Sequence, residues 1–369
     1  MQVSNLIEAC LIVGGASYIG SLLWLLRGLY RREECALPSL KQPSLSIIVA
    51  ARNEEQTIAG CLEALCQQDY EGEWEVLVVD DRSTDGTEHI VNAWASEWPR
   101  LHLVRAPDEV AFRCAKKSAL AQGIAVARGE ILLFTDADCR PPPNWARSMA
   151  DHFHDDVGLV AGHAHTEAGH ALMQRVLSAE NAAVGGLAAG SFAQGVPLSC
   201  TGRNLAYRKA VYDEVDGFQR IGHLLGGDDV YFMRLVAAGG RWKMVFNRRA
   251  VVSSLPSSAQ WRRIVHQKMR HAAKGGHYRG PALLLAALVY AFHVGLGAGL
   301  VAELGGIHLE WLWPIWAARW FVDALLLRHM ARLHPLAWGA YLPLLEVLYI
   351  PYVVFLAPAG RLGLFRWKV

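Results

Sequence analysis

Asp136-Ala137-Asp138 follows the apolar run Ile131-Leu132-Leu133-Phe134 with only Thr135 between. Two carboxylates one residue apart are hard oxygen donors of the kind that hold Mg²⁺ or Mn²⁺, ions that keep positions open for substrate phosphates. A metal-bound diphosphate is therefore the first chemistry this spacing suggests. The alternative is a solvated acidic turn, because D-x-D also arises by chance. Asp80-Asp81 is a second pair, placed after Val76-Leu77-Val78-Val79. Its oxygens can accept from the N–H groups of a base or from sugar hydroxyls, while the following Ser83-Thr84-Asp85-Gly86-Thr87 has the chemistry of a turn and helix cap. Lys117, at the head of a helix expected to face the same edge, can neutralise a phosphate as a point charge; the alternative is a surface lysine.

These groups need elements that bring them together. Short apolar runs predict strands at Leu45–Ala50, Trp74–Val79, Leu101–Arg105 and Ile131–Thr135. Helical patterns lie between them at Glu54–Gln67, Gly86–Ala95 and Lys117–Ala127. Such alternation implies βαβ units, an α/β fold and a mostly parallel central sheet. Each polar cluster follows a strand, and open α/β sheets bind ligands beyond the carboxyl ends of their strands. The Arg52-Asn53-Glu54-Glu55, Asp80-Asp81 and Asp136-Ala137-Asp138 groups are thus expected along one sheet edge.

The chain has 369 residues, 53% of them hydrophobic, and a formal net charge of +2. That charge is too small to argue for nucleic acid as a partner. The seven cysteines are scattered without a C-x-x-C pair, which suggests reduced thiols. Leu6 to Leu26 is long and apolar enough to span a bilayer, and Arg27, Arg31 and Arg32 after it place that end on the cytoplasmic side. Further apolar stretches run over Ala282–Ala302, Leu309–Leu327 and Leu336–Ala357, the last interrupted by prolines. The expected organisation is an anchor over 1–32, a cytoplasmic catalytic domain with interfacial helices over 41–280, and a membrane region over 281–369. That last region holds two spans plus a third span or a re-entrant hairpin. The tryptophans Trp311, Trp313, Trp316 and Trp320 suit an interface. Ala171–Phe192 suits either an interfacial segment or a buried helix, and His163, His165 and His170 suggest loop histidines rather than a metal site.

Several ordered segments resemble glycosyltransferase family 2, whose members adopt the nucleotide-diphospho-sugar (GT-A) fold. Ile47 to Glu55 resembles the opening nucleotide-binding strand and loop, which implicates Ala51, Asn53 and Glu54. Val78 to Thr87 is similar to the family's V-V-D-D-G-S-x-D-G-T segment, with Arg82 in place of the usual Gly, and Phe134 to Cys139 to its D-x-D segment. Thr201 to Arg208 resembles G-x-N-x-A-x-R, placing Gly202 and Asn204 on the acceptor side. Gly227-Asp228-Asp229 resembles the segment carrying the catalytic base, which implies Asp229 as base and Asp228 as its companion. The alternative is a pair of cap or surface aspartates opening the helix Val230–Ala238. Gln267-Lys268-Met269-Arg270-His271 is similar to the Q-x-x-R-W signature of membrane-bound members, similar to ceramide-glucosyltransferase-like and cellulose-synthase-like enzymes. There Gln267 and Arg270 would meet the diphosphate, and His271 stands in place of Trp on the acceptor side. The same segment, Trp261 to Lys274, is also a basic amphipathic helix suited to anionic lipid.

The resemblance implies an inverting, metal-dependent transfer of a sugar from a nucleotide-sugar donor, a UDP-sugar foremost, to a hydroxyl of a membrane lipid acceptor. It implies Mg²⁺ or Mn²⁺ as cofactor, the phospholipid bilayer as a partner, and a multi-pass protein of the inner or plasma membrane. The alternatives are a polyprenyl-phosphate glycosyltransferase, a polysaccharide synthase, and a non-catalytic sugar-nucleotide-binding subunit.

Overall fold

The computed structural model describes residues 2–31, 42–273, 281–332 and 338–364. Two compact units emerge: a sheet unit of Arg31–His165 and Ser191–Leu255, and a helical unit of Met1–Tyr30, Thr166–Gly190 and Pro256–Val369. Arg32, Cys35, Lys274, Arg366 and Lys368 lie outside the described residues.

The sheet unit is built on β1 (Leu45–Ala51), β2 (Trp74–Asp80), β3 (Leu101–Arg105), β4 (Ile131–Asp136), β5 (Cys139–Arg140), β6 (Val157–Thr166), β7 (Leu205–Arg208) and β8 (Lys243–Ser254). They form one sheet in the order β3-β2-β1-β4-β7-β6-β8-β5. The expected parallel half is present, since β1 pairs in parallel with β2 and β4, and β2 with β3. The other half is antiparallel where β7 meets β4 and β6, and where β5 meets β8. β1 and β2 are mostly apolar and almost wholly buried because both faces are covered, as parallel strands require, and the buried Ser46 hydroxyl donates to Glu75 at 2.7 Å. Each fully buried aliphatic side chain there contributes about 1.5–3 kcal/mol.

Register decides where the acids go. Ala51 lies opposite Asp80 and Ala50 opposite Asp136, so the two carboxylates flank the C-terminal end of β1. The helices of this unit are α2 (Ile58–Cys66), α3 (Thr87–Glu97), α4 (Ala115–Val126), α5 (Trp145–Ala150), α7 (Lys209–Glu214) and α8 (Val230–Gly239). α2 starts later than predicted because Glu54 to Thr57 closes a turn, in which the Thr57 amide donates to the Glu54 carbonyl at 2.9 Å. α4 lies close on the sheet at Gly123, where a Cβ would stand 2.8 Å from Ile48 and 2.9 Å from Val79. Only glycine permits that approach, and it seats the head of α4 at the acidic edge.

The helical unit contains α1 (Gln2–Leu29), α6 (Leu172–Ala193), α9 (Trp261–Ala273), α10 (Pro281–Leu304), α11 (Leu312–Met330), α12 (Trp338–Pro351) and α13 (Ala357–Arg361). A π turn over Tyr352–Leu356 joins α12 to α13, so helix continues through Pro343 and Pro351 as one run with no re-entrant break. Ser4–Leu29, Leu283–Leu304 and Gly339–Arg361 are long and apolar enough to cross a membrane. α11, expected as a further span, carries Arg319, Asp323 and Arg328 and is not among them. α6 is a packed helix: Gly190 meets the backbone of Leu25, and Gly186 meets Leu326 and Met330.

One polar cluster lies inside this unit. Arg319 Nε is 2.8 Å from Glu346 and 3.6 Å from Asp323, and Tyr18 donates to Asp323 at 3.0 Å. Phe292, Leu296, Leu309, Leu312 and Leu11 form an apolar core in the same unit.

Candidate active site

The acidic edge of the sheet unit is organised by one lysine. Lys116 Nζ donates to Asp136 Oδ1 at 2.6 Å and stands 3.5 Å from Asp228 Oδ2. Loss of water contact pushes its pKa down, yet the Asp136 and Asp228 carboxylates outweigh that and hold it well above the ordinary lysine value. Lys116 therefore remains an ammonium, and it draws the acid after β4 and the acid before α8 to one small cavity. Gly202, Tyr207 and Phe218 share the lining.

Lys117, singled out by sequence, is elsewhere. It is fully buried, and its Nζ donates to the carbonyls of Ile221 and Leu224. Successive helical residues differ by about 100° in direction, so adjacent lysines cannot share a target. The sequence carried no signal to choose between them.

Asp138 sits two residues beyond Asp136 in the turn into β5. Burial raises its carboxyl pKa, and the neighbouring Asp136 charge raises it further, while Arg203 opposes both. Arg203 is held by the Ser254 hydroxyl at 2.6 Å. Two oxygen donors whose mutual repulsion Arg203 and Lys116 only partly offset fit a hard dication. Among the described residues no group of three or more His, Cys, Asp or Glu is placed to hold a metal. Asp136 and Asp138 would thus be two donors to an ion completed by phosphate or water, as Mg²⁺ and Mn²⁺ sites commonly are. His163 and His165 lie buried in strand β6, not in a loop.

At the end of β2, Asp80 is buried; its Oδ2 accepts from the Ser83 amide at 3.2 Å, and its Oδ1 has no hydrogen-bond partner. A buried orphan acceptor is costly unless something satisfies it. Asp81 is committed differently, since Arg82 Nε donates to it at 2.9 Å and Arg52 stands at 3.8 Å. Arg82 has a φ of 58°, the left-handed conformation that the family's usual glycine adopts freely. Here an arginine takes it and neutralises Asp81.

Ala51, Asn53 and Glu54 join the loop after β1 to the loop after β2. The Ala51 carbonyl accepts from the Asp81 amide at 2.8 Å, the Asn53 side chain accepts from the Thr84 amide at 2.8 Å, and the Glu54 amide donates to Thr87 Oγ1 at 2.8 Å. These contacts shape the loops around Asp80.

Asp229 caps α8, its Oδ1 accepting from the Val230 amide at 2.7 Å, and its Oδ2 accepts from the Gly202 amide at 3.3 Å. Asp228 faces the cavity. A Cβ on Gly202 would stand 3.1 Å from Asp228 Oδ2, so glycine leaves that carboxylate undisturbed. Asn204, expected on the acceptor side, is instead fully buried. It accepts from Trp145 Nε1 at 2.9 Å and donates to the carbonyls of His163 and Ala250. It braces β6, β8 and α5 from within the core because its amide satisfies three polar groups there. Gln267, Arg270 and His271 lie on α9 in the helical unit, the first two half-buried and His271 exposed. In that unit α9 is tied to α6 by an ion pair between Lys268 and Glu180.

Residues 46–216 match the model of Glycosyl transferase family 2. Over 99 residues the chain is 39% identical to a beta-monoglucosyldiacylglycerol synthase of Nostoc sp., a stretch that covers 27% of this chain and 21% of that enzyme. Over 116 residues it is 30% identical to a dolichyl-phosphate beta-glucosyltransferase of Trichomonas vaginalis, covering 29% of this chain and 35% of that one. The matched stretches are therefore well under half the length of these relatives. Among solved structures, a mannosyltransferase from Pyrobaculum calidifontis in complex with GDP-Man and Mn²⁺ is similar over 93% of this chain and 98% of its own. The TM-score is 0.59 at 23% identity. That likeness establishes the fold, a mixed α/β sheet of GT-A type.

Proposed function

We propose, from the membership of residues 46–216 in glycosyl transferase family 2, that this chain transfers a sugar from a nucleotide-sugar donor to a membrane lipid acceptor. The observation that carries the reading is the single ammonium of Lys116, 2.6 Å from Asp136 and 3.5 Å from Asp228. It supports reading Asp136, as metal-side carboxylate, and the Asp228-Asp229 pair, as base-side carboxylates, as parts of one site. The lipid acceptor is supported by relatives whose names specify diacylglycerol and dolichyl phosphate. Among the described residues, three helices apolar enough to span a bilayer support a multi-pass membrane protein, and Arg27 and Arg31 after the first of them support a cytoplasmic sheet unit.

In this reading Asp80 Oδ1 accepts from an N–H of the donor's base or from a ribose hydroxyl, which satisfies the orphan oxygen. Asp136 and Asp138 hold Mg²⁺ or Mn²⁺, which when bound supplies Lewis-acid stabilisation of the leaving diphosphate. Lys116 pairs with donor phosphate as a point charge. Asp229 takes the proton of the acceptor hydroxyl while that oxygen forms its bond to the anomeric carbon and the bond to the diphosphate breaks. The sugar carbon is attacked opposite the leaving group, so its configuration inverts.

One observation favours a second assignment of the base. Asp229 already caps α8, whereas Asp228 lines the cavity. With both Asp229 oxygens engaged by backbone amides, the carboxylate open to the cavity is Asp228, which supports Asp228 as base with Asp229 as its anchor. A polyprenyl-phosphate acceptor would need neither as a strong base.

The test is nucleoside-diphosphate release by the purified full chain in detergent, given a panel of UDP-sugars, Mn²⁺ and membrane lipid, with mass analysis of the product lipid. Transfer to a neutral lipid hydroxyl, lost in Asp228→Asn or Asp229→Asn, is the expected result. Consumption of no donor would refute the enzymatic reading, and transfer only to a polyprenyl phosphate would replace the acceptor.

A further inference from the structure

Lysine is rarely buried unless its charge is met. Lys117 is fully buried, and its Nζ donates to two main-chain carbonyls, of Ile221 at 2.6 Å and of Leu224 at 3.0 Å. Both carbonyls belong to the segment between α7 and α8 that ends at Asp228-Asp229. Its regular structure is a single 3-10 turn at Gln219–Ile221. The segment reaches Asp228 through Gly226 and Gly227, whose φ values of 73° and 72° both lie in the left-handed region. Two such glycines in succession resist rotation little, so the position of Asp228 depends on what holds the chain before them.

A second strut comes from the residues just ahead of α4. The Arg113 amide donates to the Gly222 carbonyl at 3.0 Å, and Phe112 meets Phe218 edge-on at 6.3 Å. A Cβ on Gly222 would stand 2.5 Å from the Phe112 ring, so the two segments are in close contact. The head of α4 therefore does two things with consecutive residues. Lys116 engages Asp136 and Asp228, and Lys117 fixes the segment that delivers Asp228.

We propose that Lys117 is a positioning residue for the transfer reaction. Its ammonium fixes residues 221–224 and so sets the point from which Gly226-Gly227 presents Asp228 and Asp229 to the cavity. This rests on the reading of those aspartates as the acid pair of the transfer. Methionine has similar length and no donor, so Lys117→Met would leave the two carbonyls without this partner and free the segment to shift.

The experiment uses the full chain in detergent and compares wild type with Lys117→Met and with Lys117→Gln, which keeps a shorter donor and carries the test should the methionine variant not fold. UDP binding in Mn²⁺, kcat for donor turnover and amide hydrogen exchange over residues 219–229 are measured. The expected result is affinity within about twofold of wild type and kcat lower by about 10²-fold, the loss that a displacement of about 1 Å can cause. Glutamine is expected to lose less than methionine, with faster exchange confined to the segment. Unchanged kcat in folded Lys117→Met, alongside lost turnover in either aspartate variant, would overturn this inference alone. Turnover retained by both Asp228→Asn and Asp229→Asn would remove the acid-pair reading and this inference with it. Affinity, kcat and global exchange protection falling together would mark Lys117 as a fold residue and would also overturn it.

Discussion

The sheet unit and the helical unit each gather acids around a single cation, with opposite outcomes. At the sheet edge Lys116 reaches Asp136 and Asp228, whose side chains are 31% and 11% exposed, and Asp80 keeps an oxygen without a partner. In the helical unit Arg319 and Glu346 are 2% and 3% exposed at 2.8 Å, with Asp323 and Tyr18 closing the group. The first cluster is part open and part unsatisfied, so a ligand can still bring something to it. The second is enclosed: Arg319 Nε and Nη1 and Glu346 Oε2 also lack hydrogen-bond partners among the described residues, but they are shut from solvent and their charges offset one another at 2.8 Å. An ionisable group within a membrane helix invites a functional reading. The comparison teaches that openness to solvent separates a site from a brace more reliably than charge or unpartnered polar atoms do.

The largest expected effect falls on the brace. Arg319→Met leaves Asp323 and Glu346 without their countercharge and is expected to cost about 3–5 kcal/mol of stability, the usual loss when one partner of a buried pair is removed. Glu346→Gln leaves the Arg319–Asp323 pair and should cost less. Thermal unfolding in detergent reads both, and the reverse order would show that the guanidinium is not what holds the group together. At the sheet edge the expectation inverts. Asp136→Asn should lower metal-dependent turnover by about 10²-fold or more, since losing a mere outer-shell partner costs 10- to 100-fold, while the unfolding temperature hardly moves. A large loss of stability there would make Asp136 a brace as well. Tyr18→Phe, which deletes one hydrogen bond to a carboxylate, is expected to cost about 1.5 kcal/mol, near the low end for a charged partner. A neutral result would place Tyr18 outside the cluster. Arg105→Ala, which breaks an exposed pair with Glu88, should cost less than about 1 kcal/mol. A larger loss would show that exposure alone does not tell a brace from a bystander.

The sheet-edge acids were largely legible in the sequence because strands announce themselves by unbroken apolar runs. Ile131–Phe134 and Val76–Val79 end at the acids, and parallel register then puts Asp80 and Asp136 on either side of β1. What failed was phase and depth. The patterning placed the head of α4 at the correct edge but not which of two adjacent lysines points into the cavity, because one residue of slip is a turn of about 100°. Asn204 and the histidines of β6 were misplaced for a related reason: a polar residue in a motif reads as exposed until its buried partners are known. Apolar length also hid the brace, since Leu309–Leu327 looks like a span and Arg319 and Asp323 find their partner Glu346 only in a later helix. Pairings distant in sequence leave no periodic trace.

The central claim is that the acids of the sheet edge form one nucleotide-sugar transfer site, with binding and proton transfer assigned to different carboxylates. It is tested most directly by titrating UDP into the full chain with and without Mn²⁺, and by measuring donor turnover on the same preparations of wild type, Asp136→Asn, Asp228→Asn and Asp229→Asn. Metal-dependent UDP binding should be present in wild type and lost in Asp136→Asn. At least one of the other two variants should bind UDP normally and fail to turn over the donor. Metal-dependent binding retained by Asp136→Asn, or full turnover by both Asp228→Asn and Asp229→Asn, would contradict it.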